Sequence, residues 1–145
     1  MTIEAVRTGH VGLNVTDLER SLAFYRRVFG FEVLESADGH AFLGRDGRLL
    51  VTLWKQGEGE FPTARPGLHH LSFEVDTVEE VRAAEGVLRG LDVRFAHDGV
   101  VPHGEGATSG GIFFTDPDGI RLEIFTASGV SGDAPTPGAP TCGFF

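Results

Sequence analysis

Cysteine, basic residues and long apolar runs are all scarce in this chain of 145 residues. Its single cysteine, Cys142, excludes an intrachain disulfide and a metal site built only from thiolates. The chain has 12 Lys and Arg against 21 Asp and Glu, and its net charge of -9 disfavours binding to nucleic acid or to an anionic membrane surface. No apolar run has the length of a membrane span and the first residues contain no apolar signal segment, so we expect a cytoplasmic protein.

Apolar residues are nonetheless plentiful, since they make up 41% of the chain and 12 of them are Phe. Such a chain can form one domain with a sizeable core and a cavity with aromatic walls. After residue 126 the composition changes to Gly, Pro, Ala and Ser. We therefore predict a domain over residues 1–126 and a C-terminal tail over residues 127–145 that mostly lacks regular structure. The apolar end of this tail, CGFF, either stays disordered or docks on a groove or on a partner subunit.

The sequence repeats itself once. The segment GHVGLNVTDLERS in the first half aligns with HHLSFEVDTVEEV in the second at an offset of 60, which places His10 over His70. Each segment reads as an alternating strand followed by the start of a helix. Each helix start has the T-x-x-E spacing of a capping box, at Thr16 in the first copy and at Thr77 in the second.

The elements that follow are also repeated. We predict helices over about residues 17–29 and 78–88, each followed closely by a glycine. Three strand-like runs come after each helix: FEVLES, HAFLGR and LLVTLW in the first half, then LDVRFAH, GGIFFT and IRLEIF in the second. Each half is therefore predicted to be βαβββ, in modules over about residues 8–55 and 68–126.

The last two strands of each half align at an offset of 71, which sets Thr52 over Glu123. When the Asp-Gly turns are aligned instead, Val51 is the rival match. Glu123 interrupts an apolar strand and shares its face with Arg121. A buried carboxylate is costly unless it is paired or bound to a metal. Glu123 is therefore either half of an ion pair, with Arg121 or Lys55, or a metal ligand.

The two copies resemble the vicinal oxygen chelate superfamily, through GHVGLNVTDLERSLAFYRRVFGFEV opening the first, HHLSFEV opening the second and FFTDPDGIRLEIF closing it. Members of that superfamily include glyoxalase I, bleomycin and fosfomycin resistance proteins, methylmalonyl-CoA epimerase and extradiol dioxygenases. The resemblance implies an α+β fold in which the two βαβββ modules pair into a curled mixed sheet, a cup with its helices outside. It also implies a homodimer, with the cup formed either within one chain or by exchange of modules between two chains.

Transferred residue by residue, the resemblance implies one divalent metal ion (Fe, Mn, Ni, Zn or Co) held by His10, His70 and Glu123. The fourth family position falls on Thr52, which leaves room for substrate and water at the ion. Each histidine taken alone is more often structural, but their shared phase in the repeat favours ligands. His69 is the nearest competitor, and strand alternation predicts that His69 and His70 face opposite ways.

Two positions depart from the family pattern. Extradiol dioxygenases carry a Tyr ten residues before the carboxylate ligand and a His about nineteen before it, and these positions are here Phe113 and Gly104, with His103 one residue away. The missing phenol disfavours ring cleavage and fosfomycin transfer, and the missing second carboxylate disfavours glyoxalase I and epimerase mechanisms. The glycine-rich loop over residues 97–111 is either a mobile lid, in which His97 or His103 acts as acid or base, or an ordinary surface loop.

The sequence thus favours a metal-dependent enzyme that chelates adjacent oxygens of a small, aromatic or apolar substrate. Its reaction stays open between dioxygenase, lyase, isomerase and transferase. The alternative is a resistance protein that sequesters a drug in the cup without catalysis, although relatives of that kind generally lack the metal ligands. The expected substrate contacts are aromatic and polar side chains of the sheets, whose rings are as commonly core as cavity wall: Phe42, Trp54, Phe113, Phe125, Thr52 and Arg121.

Overall fold

Both halves of the chain form a βαβββ unit, as predicted. The structure, a computed structural model, describes all 145 residues and divides into two units, Met1–Gly59 and Glu60–Phe145. Each unit holds one four-stranded mixed sheet and one α-helix, so the predicted α+β class is confirmed. Neither α-helix has the length and apolar character that spanning a bilayer requires.

The first unit consists of β1 (Val11–Asn14), α1 (Leu18–Phe29), β2 (Glu32–Ala37), β3 (His40–Arg45) and β4 (Arg48–Trp54). The sheet order is β1-β4-β3-β2, in which β1 runs parallel to β4 and the other neighbours are antiparallel. Helix α1 contacts β3 and β4. The core of this unit includes Tyr25, Leu43 and Leu53, which are completely buried.

Helix α1 begins differently from its prediction. Its N-cap is Asp17, whose carboxylate accepts the Arg20 backbone N–H at 3.0 Å. The capping box expected at Thr16 is wrong because a carboxylate one residue later takes the capping position. Thr16 instead accepts a hydrogen bond from the Arg20 guanidinium at 3.0 Å. The helix ends as predicted at Gly30, whose φ of 67° lies in the left-handed region.

The second unit consists of β5 (Leu71–Glu74), α2 (Val78–Arg89), β6 (Val101–Pro102), β7 (Gly110–Thr115) and β8 (Arg121–Thr126). Its sheet order is β5-β8-β7-β6, with β5 parallel to β8. The predicted capping box of Thr77 and Glu80 is present at the start of α2. The second sheet therefore repeats the topology of the first.

The run LDVRFAH does not form its predicted strand. Phe95 within it makes only an isolated bridge, to Phe114 of β7, and the edge of the sheet is the two-residue strand β6. The chain is still turning after α2, because the Leu91 N–H bonds to the Leu88 carbonyl. Asp92 then adopts a φ of 56°, a left-handed conformation that interrupts an extended strand.

Strand register confirms the repeat at the position that matters for the site. Gly12 pairs with Thr52 in the first sheet, and Ser72 pairs with Glu123 in the second. Gly12 and Ser72 are equivalent in the repeat, so Thr52 is the structural counterpart of Glu123. The rival match at Val51 is wrong.

The tail after β8 is irregular except for a short 3-10 helix, Thr141–Gly143, in agreement with the prediction. It is attached to the second unit, since Val130 donates its N–H to the carbonyl of Thr108 and Thr141 is completely buried. Of the two alternatives for the apolar end, the structure shows docking, and the groove belongs to the chain's own second unit.

Candidate metal centre

Glu123 lies in the middle of β8 with 3% of its surface exposed. Its register partners on the two sides are Ser72 of β5 and Phe113 of β7, so the three side chains share one face of the second sheet. Ser72 donates its hydroxyl hydrogen to Oε1 of Glu123 at 2.9 Å. The neighbouring residues Leu122 and Ile124 are buried core residues. Strand alternation therefore fixes the face that carries the carboxylate.

Two imidazoles flank this carboxylate. Nε2 of His103 lies 2.5 Å from Oε2 of Glu123, and Nε2 of His70 lies 3.7 Å from Oε1. His70 immediately precedes β5, and His103 immediately follows β6. The second unit thus brings together three residues that the sequence singled out: Glu123 within β8, and one histidine at an end of each of two other strands of the same sheet.

The ion pair expected as the alternative for Glu123 does not form with Arg121. The guanidinium of Arg121 lies over the ring of Phe145, with Cζ 5.4 Å from the ring centroid. The ionisable side chains beside the carboxylate are instead the imidazoles of His70 and His103. A buried carboxylate flanked by imidazoles is an arrangement that accepts a metal cation.

Burial lowers the pKa of His70, and this effect exceeds the opposing effect of the Glu123 carboxylate. The neighbouring His69 and Arg121 lower this pKa further. His70 is therefore neutral at pH 7, and a neutral imidazole has the lone pair that a metal ion needs.

The prediction that His69 and His70 face opposite ways is wrong. Both residues precede the first residue of β5, where the chain is not yet a strand and alternation does not apply. Their rings meet edge to face with centroids 5.1 Å apart, and their Nδ1 atoms are 2.9 Å apart. His69 therefore holds the nitrogen of His70 that points away from Glu123, as an outer partner of a metal-ligating histidine does.

Ser109 orients His103. Its Oγ lies 2.9 Å from Nδ1 of the imidazole, and its carbonyl accepts the His103 backbone N–H at 2.9 Å. The ring of Phe125 packs against the same imidazole, with centroids 5.1 Å apart. Both nitrogens of His103 are thus engaged, and its ring is held toward Glu123.

His97, the other candidate acid or base, packs edge to face on Phe113, with centroids 5.5 Å apart. Its Nε2 is buried and has no hydrogen-bond partner. An unpaired buried donor or acceptor is costly, so this nitrogen lacks the partner that a buried polar atom normally has.

The remaining predicted site residues lie in the first unit. His10 immediately precedes β1, as His70 precedes β5, and it is exposed. Thr52 is 2% exposed, and its hydroxyl accepts a hydrogen bond from Nε1 of Trp54 at 2.9 Å. The rings of Trp54 and Phe42 have centroids 5.8 Å apart. Thr52 is thus engaged with an aromatic cluster.

The donor set of the second unit fits a divalent metal ion. Imidazole nitrogens and a carboxylate are ligands that such ions prefer, and Glu123 is buried away from the water that would otherwise solvate its charge. As they lie, His70 and His103 each contact Glu123, and the three side chains do not form a ready-made ligand set. A bound ion would replace contacts between these side chains.

The sequence did not single out Ser72, Ser109 or the outer role of His69. Ser72 carried a signal, because it is a polar residue between two apolar ones in the first strand of the second half. Ser109 lies in the glycine-rich loop, whose conformation no periodic pattern predicts. Its role follows only from the fold of that loop.

Two βαβββ units, each with its first and last strands parallel, and a histidine–carboxylate cluster on the last strand define a protein of the vicinal oxygen chelate class. The chain belongs to the Glyoxalase/Bleomycin resistance protein/Dioxygenase superfamily, whose sequence model matches residues 7–124. The resemblance seen in the sequence is therefore confirmed.

Relatives within this superfamily differ in their activities. A trivalent organoarsenical cleaving enzyme from Bacillus sp. (strain MD1) is 31% identical over 139 residues, which are 94% of this chain and 83% of that enzyme. A catechol-2,3-dioxygenase from Bacillus subtilis (strain 168) is 29% identical over 125 residues, 84% of this chain; the match spans only 42% of that enzyme. A glyoxylase/bleomycin resistance protein/dioxygenase domain from Frankia sp. EAN1pec superposes with a TM-score of 0.71 at 27% identity, covering 88% of this chain and 96% of that domain.

Proposed function

We propose that this protein is a metal-dependent enzyme in which His10, His70 and Glu123 hold one divalent ion that binds two adjacent oxygens of a small substrate. The observation that carries this proposal is the buried Glu123 carboxylate, flanked by His70 and His103 on one face of the second sheet. When bound, the ion supplies Lewis-acid activation of the substrate oxygens. Thr52 stands at the fourth family position and supplies no carboxylate, which leaves coordination positions for substrate.

His103 is the residue best placed to move a proton. It is half-buried, it lies against the ligand carboxylate, and Ser109 fixes the orientation of its ring. A general acid or base must be held in a fixed position within reach of the proton that it transfers. Phe125 lies on the same face and favours a flat or apolar substrate body, whereas Phe113, also on this face, is completely buried.

Catechols are the first substrates to test, because they combine two adjacent ring oxygens with a flat apolar ring. Protein purified without chelator is expected to contain about one divalent ion per site. Consumption of the catechol is followed by absorbance and consumption of dioxygen by an oxygen electrode. The double variant His10→Ala, His70→Ala is expected to lose both the metal and the turnover.

His40→Ala is the matched control, because His40 also pairs with a carboxylate, Glu35, at 2.8 Å, but does so at an exposed site in the first unit. It should keep the metal content of the wild type. Equal metal content in the wild type and the double variant would refute the proposed ligands. Metal binding without turnover of any substrate with adjacent oxygens would favour the alternative, a protein that sequesters a drug.

We also propose that the protein is a cytoplasmic homodimer. The family resemblance supports dimerisation, and the exposed edges of two open sheets invite pairing. Sedimentation of the metal-loaded protein tests it. A monomer that retains its metal at micromolar concentration would contradict the dimer and would place His10, His70 and Glu123 of one chain in one site.

A further inference from the structure

The ring of Phe145 lies against the candidate metal centre. Its centroid is 5.5 Å from that of His70 and 5.5 Å from that of Phe113, and the Arg121 guanidinium lies over it. His70 is a proposed ligand, and Phe113 is the register partner of Glu123. Phe145 therefore lies on the ligand-bearing face of the second sheet, close to where a substrate must reach the ion.

A cavity of about 530 Å³ adjoins this ring within the second unit. Its walls combine rings and cations: Phe61, Phe95, Arg94 and Arg121 line it together with Phe145. Small-molecule sites typically have volumes of about 300–1,000 Å³. Because Phe145 lines this cavity and also contacts His70, its ring stands between the cavity and the metal ligand.

The segment that carries Phe145 is anchored. Thr141 is completely buried; it donates its backbone N–H to the carbonyl of His103 at 2.9 Å and its hydroxyl hydrogen to the carbonyl of Pro102 at 2.6 Å. Phe144, in contrast, is 47% exposed. The 3-10 helix thus turns one of two consecutive rings toward the site and the other toward solvent.

We propose that Phe145 is a specificity-determining wall of the substrate site, which limits the size of the ring that can reach the metal. The proposal rests on the proposed function, because it concerns the same site. A wall follows from the contacts: the ring packs against His70, Phe113 and Arg121, and the segment that carries it is anchored at the buried Thr141. The ligand class it selects is a single flat ring with two adjacent hydroxyl groups.

Two chelating probes of different size test this wall on Mn(II)-loaded protein. 4-Nitrocatechol carries one ring and changes colour when it chelates a metal. 2,3-Dihydroxynaphthalene carries a second, fused ring, which adds fewer carbons than the phenyl group of Phe145 contains. Dissociation constants are measured by absorbance and fluorescence titration for the wild type, Phe145→Ala, Phe145→Trp and the control Phe144→Ala.

We expect Phe145→Ala to shift the ratio of the two dissociation constants by about tenfold in favour of the naphthalene. Changes in pocket volume alter the discrimination between a smaller and a larger ligand by such factors. Phe145→Trp should shift the ratio the opposite way, and Phe144→Ala should leave it unchanged. Thr141→Val, which keeps the side-chain shape but loses its hydroxyl hydrogen bond, should shift it as Phe145→Ala does and by less.

The possible results distinguish a failure of the proposed wall from a failure of the proposed function. If neither probe binds the wild type in a metal-dependent way, the proposed function fails and this inference fails with it. If both probes bind and the ratio is unchanged in Phe145→Ala, the wall is refuted while the metal site stands. An equal gain in affinity for both probes in Phe145→Ala would also refute the wall, because the ring would then obstruct ligands of both sizes equally.

Discussion

Replacing Glu123 by Gln separates the effect of this buried carboxylate on folding stability from its role in binding a metal ion. In the metal-free protein the amide oxygen still accepts the Ser72 hydrogen bond, while the charge near His103 is lost. The weaker bond to His103 destabilises the variant, whereas the removal of a buried charge stabilises it, so the two effects oppose each other. The free energy of unfolding should therefore change by only about 1 kcal/mol in either direction.

Metal should stabilise the wild type and not the Glu123→Gln variant. An ion at 100 times its dissociation constant stabilises the native state by about 2.7 kcal/mol. For a chain of this length 1 kcal/mol corresponds to about 4 °C in melting temperature, so the wild type should gain roughly 10 °C. Calorimetry of both proteins with chelator and with Mn(II) measures the difference.

The control is Glu35→Gln, in which the carboxylate also pairs with an imidazole but is 58% exposed. This variant should keep the full metal-dependent rise. Two results would contradict the reasoning. A full rise in Glu123→Gln would show that the carboxylate is not a ligand, and a loss of about 3 kcal/mol without metal would show that its role is structural.

Three further predictions concern neighbouring residues. His70→Ala should abolish metal binding, whereas His69→Ala should weaken it by roughly 10–100-fold in calorimetric titration, as expected for an outer partner; equal losses would make both residues ligands. Ser109→Ala should lower turnover about tenfold at unchanged metal content, because its hydrogen-bonded histidine loses its orientation; a parallel loss of metal would refute this. Gly111→Ala should destabilise the protein by about 3 kcal/mol in urea unfolding, since a Cβ there would lie 1.9 Å from a backbone oxygen of β8, while Gly104→Ala, where a Cβ meets nothing within 4 Å, should not.

The fold was predictable because its signals are local and occur twice. Alternating strands, helices closed by glycine and the T-x-x-E start at Thr77 each indicate one element, and the repeat checks one half against the other. The prediction failed where a local signal was ambiguous. At the start of α1, Asp17 and not Thr16 is the N-cap. The run LDVRFAH alternates like a strand, but the left-handed conformation of Asp92 turns the chain there.

In the candidate site, only the residues whose positions are fixed by a strand or by the repeat were predictable. Glu123 was found because strand periodicity fixes the face on which its side chain lies, and His70 was found because the repeat aligns it with His10. The contact of His69 with His70 was not foreseen because both lie before the strand, where no period applies. The position of Phe145 could not be predicted, since it depends on the path of an irregular tail that is anchored at the buried Thr141.

The two units share one topology but differ at the sheet position that carries the candidate metal ligand. The same sheet position holds Thr52 in the first unit and Glu123 in the second, and both are buried. In the first unit the hydroxyl satisfies Trp54, and a neutral side chain needs no cation. In the second unit the carboxylate is flanked only by imidazoles, so this half has a buried ionisable group that the other half does not have at this position. Since a buried charge costs stability unless it is used, its presence in one unit supports a role in binding rather than in folding.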